Sequence, residues 1–148
     1  MAEVPATVVV DVANVMGARP DGWWRDRAGA AARLGREVVA LARRGIATDS
    51  GGRFFPSYVL VLEGKARAAA EVIESEMIDY VPSLVRVVSA AGSGDDTIVE
   101  VAAGIMKNLE AVPEGASCLV VTADRELGRR CGALGAATAG PGWLLGRL

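Results

Sequence analysis

Histidine is missing from all 148 residues of this chain. Without it no Ser-His-Asp or Cys-His nucleophile system can be built, and no His-based metal site either. Cysteine is scarce: Cys118 and Cys131 are the only two, and their spacing fits neither a metal-ligand nor a redox motif. They read as reduced, packed thiols in a cytoplasmic protein. Long apolar stretches are missing as well. Hydrophobic residues make up 51% of the chain, yet no uninterrupted run approaches the ~20 residues needed to cross a bilayer. The segment Met1-Ala2-Glu3-Val4-Pro5 has no basic region and leads directly into a strand-like run, which argues against a secretory signal. No internal repeat or low-complexity tract appears.

What remains for chemistry is carboxylate, amide and hydroxyl, a set that suits Mg²⁺ or Mn²⁺ better than zinc. The net charge of −2 excludes a dense basic coat for nucleic acid. Residues 1–53 nevertheless hold eight arginines against six acids, whereas residues 54–112 hold four basic residues against nine acids. A nucleic-acid partner would therefore have to be held by local arginines. Part of the acidity is the solvated face of Glu71, Glu74, Glu76 and Asp79.

Apolar runs alternate with helical periodicity throughout, which predicts one α/β domain over 1–148 with a parallel sheet of about five strands. Strands are expected at about 6–12, 58–62, 84–89 and 117–122, with a weak fifth at 136–139. The first helix spans about 26–44, with Leu34, Val38 and Leu41 at helical spacing and Gly45 as its stop. Residues 51–56 read as loop. Further helices are expected from Lys65 through Ile73 towards Met77, over 95–109 and over 124–134, with a closing helical turn at 141–145. Pro82, Pro113 and Gly115 mark breaks. Because the strands are continuous apolar runs, helices should cover both faces, with right-handed crossovers placing them on alternate sides.

In such sheets ligands bind beyond the carboxyl ends of the strands. Asp11, Glu63, Asp95, Asp96 and Asp124 all fall at those ends, so they should share one rim. Carboxylates converging without basic partners call for a divalent cation, and that points to phosphate-ester chemistry. Each acid also has a bland role. Asp11, inside the run Thr7-Val8-Val9-Val10-Asp11-Val12, would need a salt bridge to a nearby arginine or a role as a cap on a neighbouring loop. Asp95, Asp96 and Asp124 start helices, where acids cap free N–H groups. Of the adjacent pair, Asp95 is expected as the cap and Asp96 as the metal ligand beside Asp11 and Asp124. Glu63 could be merely solvated. Asn14 orients Asp11 or holds the loop, with Thr122 in support.

The loop Arg19-Pro20-Asp21-Gly22-Trp23-Trp24-Arg25-Asp26-Arg27 follows the first strand and should overhang the same rim. Arg19, Arg25 and, farther on, Arg125 are candidates for holding phosphates. Trp23 or Trp24 could stack on a base, the alternative being that the indoles pin the loop to the core. Other motifs fail. Gly92-x-Gly94 lacks the third glycine of a dinucleotide fingerprint, and no GxxxxGK[ST] loop exists. Asp11-Val12-Ala13 lacks the second aspartate of a haloacid-dehalogenase-type phosphatase.

Asp11-x-x-Asn14, Gly94-Asp95-Asp96 and Thr122-x-Asp124-Arg125-Glu126-Leu127, in that order over roughly 6–140, resemble the NYN branch of PIN-like nucleases. The resemblance implies an α/β/α domain with a parallel sheet ordered 3-2-1-4-5 and metal-dependent cleavage of RNA. It implies Asp11, one or both of Asp95 and Asp96, and Asp124 as metal ligands, with Asn14 in the supporting polar position. Glu63 stands nearest to the further acid that the family often carries, and Trp23-Trp24-Arg25 has no counterpart in its pattern. The leading expectation is an endoribonuclease using Mg²⁺ or Mn²⁺. The alternatives are a metal-dependent hydrolase of a small nucleotide or phosphate ester, and a catalytically silent RNA-binding module. A homodimer is left open.

Overall fold

In the computed structural model, which describes residues 5–77, 84–109 and 117–148, the five apolar runs become five parallel strands. They are β1 (Thr7–Asp11), β2 (Ser57–Leu62), β3 (Val85–Ser89), β4 (Cys118–Val121) and β5 (Ala137–Ala139). Their order across the sheet is β3-β2-β1-β4-β5, which is the 3-2-1-4-5 order the resemblance implied. The register sets Asp11 opposite Val61 and Val10 opposite Val121. The ends of β1, β2 and β4 therefore lie level with one another.

Among the described residues six α-helices enclose the sheet: α1 (Val12–Gly17), α2 (Arg27–Arg44), α3 (Ala70–Ser75), α4 (Gly94–Leu109), α5 (Arg125–Gly132) and α6 (Pro141–Leu145). Strand side chains alternate between faces with a period of two, and two cores follow. Val8, Val10, Leu60, Leu62 and Val121 pack with α1, α2, α3 and α6, while Val9, Val59, Val61 and Val120 pack with α4 and α5. The helices do not alternate sides as expected. Those met while the chain moves from β1 to β3 share one face, α4 and α5, met as it reverses towards β5, take the other, and α6 beyond β5 returns to the first. Right-handed crossovers dictate this, since reversing the direction of travel reverses the side.

α2 shows how local sequence makes its element. Asp26 caps it by accepting the Gly29 N–H at 2.9 Å, and Leu34, Val38 and Leu41 form its buried stripe. Gly45 ends it at φ 72°, a conformation that suits glycine, and a Cβ there would stand 2.9 Å from the Phe54 carbonyl oxygen. Truncating Leu34 to alanine would cost about 2–5 kcal/mol.

Three elements differ from the sequence expectation. Residues 12–17 turn helical directly after β1, because Asp11 caps the turn and Val12, Val15 and Met16 bury one side of it. The stretch 51–56, read as loop, contributes Arg53–Phe54 to a two-stranded antiparallel ribbon with Ile46–Ala47. The helix expected from Lys65 opens as a 3-10 turn, Gly64–Ala69, before α3. Pro82, Pro113, Gly115 and Asp79 lie outside the described residues. Cys118 and Cys131 are free and buried in the second core, and burial pushes the Cys118 thiol up to about 11. Among the described residues no helix is long and apolar enough to cross a membrane.

Candidate active site

β1 stops at Asp11, which is only 4% exposed. Its Oδ1 accepts the Asn14 N–H at 3.4 Å, and its Oδ2 accepts the Asn14 side-chain amide at 2.9 Å. From the end of β4 the buried Thr122 hydroxyl donates to the same Oδ2 at 2.8 Å. Thr122 Oγ1 also accepts the Asp124 N–H at 3.1 Å, and Asn14 Oδ1 accepts the Ala123 N–H at 3.2 Å. Asn14 and Thr122 thus tie the end of β1 to the turn after β4. Burial pushes the Asp11 carboxyl above its ordinary range; the Thr122 and Asn14 hydrogen bonds pull it down, and Glu63 and Asp95 push it up again. Among the described residues Asp11 has no arginine salt bridge, but the other structural role open to it is filled, since it caps the first turn of α1.

Two further acids have structural duties. Asp124 caps α5, its Oδ1 accepting the Leu127 N–H at 3.1 Å. Glu63 is not merely solvated: its Oε2 accepts the Gly94 N–H at 2.6 Å and so holds the first turn of α4 against the end of β2. A Cβ on residue 94 would lie 3.2 Å from that carboxylate. The glycine therefore permits the approach.

The adjacent pair is oriented opposite to expectation. Asp96 turns outward, its side chain 76% exposed and its Oδ1 accepting from Arg130 at 2.9 Å. Asp95 turns inward: burial, Asp124 and Glu63 all raise its carboxyl above the ordinary range, against a smaller opposing pull from Arg130. Neighbouring residues of a helix point about 100° apart, so only one can face the rim. Among the described residues no hydrogen bond or ion pair holds Asp95.

Oxygen donors of this kind suit a hard cation. Among the described residues, however, no three acidic or sulfur side chains converge closely enough to hold a metal. Neither the expected set of Asp11, Asp96 and Asp124 nor the set with Asp95 in place of Asp96 is preassembled among the described residues, and Asp96 faces Arg130. The arrangement suits Mg²⁺ bound through one or two carboxylates, water and a substrate phosphate, which is its common mode of binding.

The basic and aromatic candidates divide. Arg19 is committed elsewhere, its two terminal nitrogens each 2.7 Å from a Glu37 carboxylate oxygen. A guanidinium so held is poorly placed to take phosphate. Trp23 pins the loop, packed against the core, whereas Trp24 stands 56% exposed with Arg25 5.7 Å over its ring. Arg125 lines an open cleft of about 720 Å³ beside Asp124, together with Thr122, Gly128, Thr138 and Gly140. Sequence reasoning missed Arg27 and Lys65, which join Trp24 in a separate groove. Residues 24 and 65 are too far apart for any local signal to pair them.

No protein-family model matches the sequence, and no curated protein matches it. The fold has a solved counterpart. It is similar to the crystal structure of a mutant of Rae1 (YacP) from Bacillus subtilis, with 13% identity and a TM-score of 0.58. The match covers 94% of this chain and 72% of that one. At this identity the likeness concerns the fold alone: an α/β/α domain with a permuted parallel sheet.

Proposed function

We propose that this chain is a divalent-metal-dependent ribonuclease that cleaves RNA phosphodiester bonds at the C-terminal rim of its sheet. The observation that carries the reading is Asp95. It stands in the first turn of α4 without a hydrogen bond or ion pair among the described residues, and burial and the charges of Asp124 and Glu63 raise its carboxyl. Acids left to repel one another at a strand-end rim are best explained by a cation that they share with substrate. The PIN-like topology supports the same reading.

One or two of Asp11, Asp95 and Asp124 would hold Mg²⁺ or Mn²⁺, with water and a substrate phosphate as its other ligands. Bound there, the cation supplies a water of lowered pKa and offsets charge on the scissile phosphate. The chain's own contribution is positional. Thr122 and Asn14 fix the Asp11 carboxylate, Glu63 fixes the turn that carries Asp95, and the α5 cap fixes Asp124. Arg125, on the cleft beside Asp124, is placed to meet a neighbouring phosphate.

The test is cleavage of single-stranded and structured RNA in Mn²⁺, with a panel of mononucleotides alongside. The expected result is RNA cleavage abolished by EDTA and reduced about a hundredfold or more in Asp11→Asn. Equal rates in EDTA would overturn it, and turnover confined to mononucleotides would move the substrate to small phosphate esters. A second reading, a catalytically silent RNA-binding module, is favoured by the lack of a converged three-acid group among the described residues. It predicts RNA binding without cleavage and no heat of Mn²⁺ binding in calorimetry.

A further inference from the structure

A groove of opposite character lies beside the acidic rim. The Trp23–Arg25 turn and the start of α2 form one wall, and Lys65, two residues beyond Glu63, forms the other. Trp24, Arg25, Asp26, Arg27, Ala28 and Lys65 enclose about 350 Å³, within the size range of small-ligand sites.

Its composition is not that of an ordinary surface patch on an acidic chain. Trp24 is the most exposed large hydrophobic side chain among the described residues. Trp23 meets it edge-on at 5.9 Å, so the indole is propped up rather than buried. Arg25 lies over the Trp24 ring, and Arg27 lies 5.5 Å over the Trp23 ring. None of Arg25, Arg27 and Lys65 is in an ion pair among the described residues. The one acid, Asp26, is occupied in capping α2. An open indole flanked by unpaired cations is complementary to an aromatic ring carrying phosphates, and single strands are held in this way.

The geometry points to a subsite for one unpaired nucleotide of single-stranded RNA, its base stacked on Trp24 and its flanking phosphates met by Arg25, Arg27 and Lys65. This deepens the ribonuclease reading and rests on it for the choice of RNA as the polymer. The acidic rim repels phosphates unless a cation is present, so a basic anchor next to it gives the substrate a first foothold.

The test is fluorescence anisotropy with a short labelled single-stranded RNA in EDTA, where metal-dependent cleavage is blocked. Trp24→Ala should weaken binding about tenfold and Trp24→Phe should retain most of it. Lys65→Ala should lower the slope of log affinity against log salt by about 0.7. RNA carrying an abasic nucleotide in place of the stacked one should bind more weakly and be insensitive to Trp24→Ala. Wild-type affinity in Trp24→Ala, or displacement of RNA by poly-glutamate as effective as by unlabelled RNA, would overturn the subsite. Its failure is distinct from failure of the ribonuclease reading. Cleavage in Mn²⁺ with unchanged binding in Trp24→Ala removes only the subsite, and Trp24-dependent binding without cleavage removes only the nuclease.

Discussion

Near the starts of the strands three arginines give their charge to backbone oxygens. Arg44 donates to the Arg147 carbonyl at 2.6 Å, Arg53 to the Arg44 carbonyl at 2.8 Å, and Arg147 to the Trp143 carbonyl at 2.6 Å while lying 4.2 Å over its ring. Two of them, Arg147 and Arg44, face Tyr58 near the start of β2. At the ends of the strands carboxylates gather. Asp11 gathers three donors and still has a raised pKa, and Asp95 gathers none. Charge at the first end completes local structure. At the second end structure accounts for Asp11, Glu63 and Asp124 only in part, and for Asp95 not at all. A region that costs stability without a structural return is where function is to be sought.

The sharpest way to disturb the acidic end is Thr122→Val. It removes the hydroxyl bond to buried Asp11 and the acceptor for the Asp124 N–H. The expected loss is about 1–3 kcal/mol in urea unfolding at neutral pH. Because that bond lowers the Asp11 pKa, the variant's carboxyl titrates higher. The loss should therefore shrink as acidification protonates Asp11, and the acid limb of the cleavage profile should move to higher pH.

Asp26→Ala offers the control of a cap with no place in the acidic rim. It should cost about 1 kcal/mol through loss of the Gly29 bond, with the rate of cleavage at saturating RNA unchanged. A drop in that rate equal to the one in Asp124→Ala would erase the distinction between a cap and a cap that also serves chemistry.

The smallest expected effect has the opposite sign. With its folded-state carboxyl raised above the unfolded value, ionised Asp95 opposes folding. That opposition is absent below the unfolded pKa, grows as pH rises to the folded pKa, and is complete above it. Asp95→Asn should therefore stabilise the protein by about 0.5 kcal/mol at neutral pH. The gain should vanish below the ordinary carboxylate range, as thermal melts across pH would show.

These contrasts also mark what could be read in the sequence. Strand order followed from the resemblance, and α2 was legible at both ends because Asp26 and Gly45 announce its caps. The rim was legible because the register of a parallel sheet levels the strand ends. The exchange of Asp95 and Asp96 was not, since it depends on the rotation of α4 about its axis, which Glu63 and Gly94 fix from another strand. Nor was the loss of Arg19 to Glu37, a contact 18 residues away in sequence. Short elements such as α1 carry too few residues for periodicity to distinguish them from the end of a strand.

The central claim is that the inward acid of the adjacent pair serves the chemistry and the outward one does not. The direct measurement is the rate of single-stranded RNA cleavage in Mn²⁺ by Asp95→Asn and Asp96→Asn, side by side with the parent chain. The account predicts a loss of about a hundredfold or more in Asp95→Asn and less than about threefold in Asp96→Asn. Equal losses, or cleavage abolished by Asp96→Asn and spared by Asp95→Asn, would contradict it.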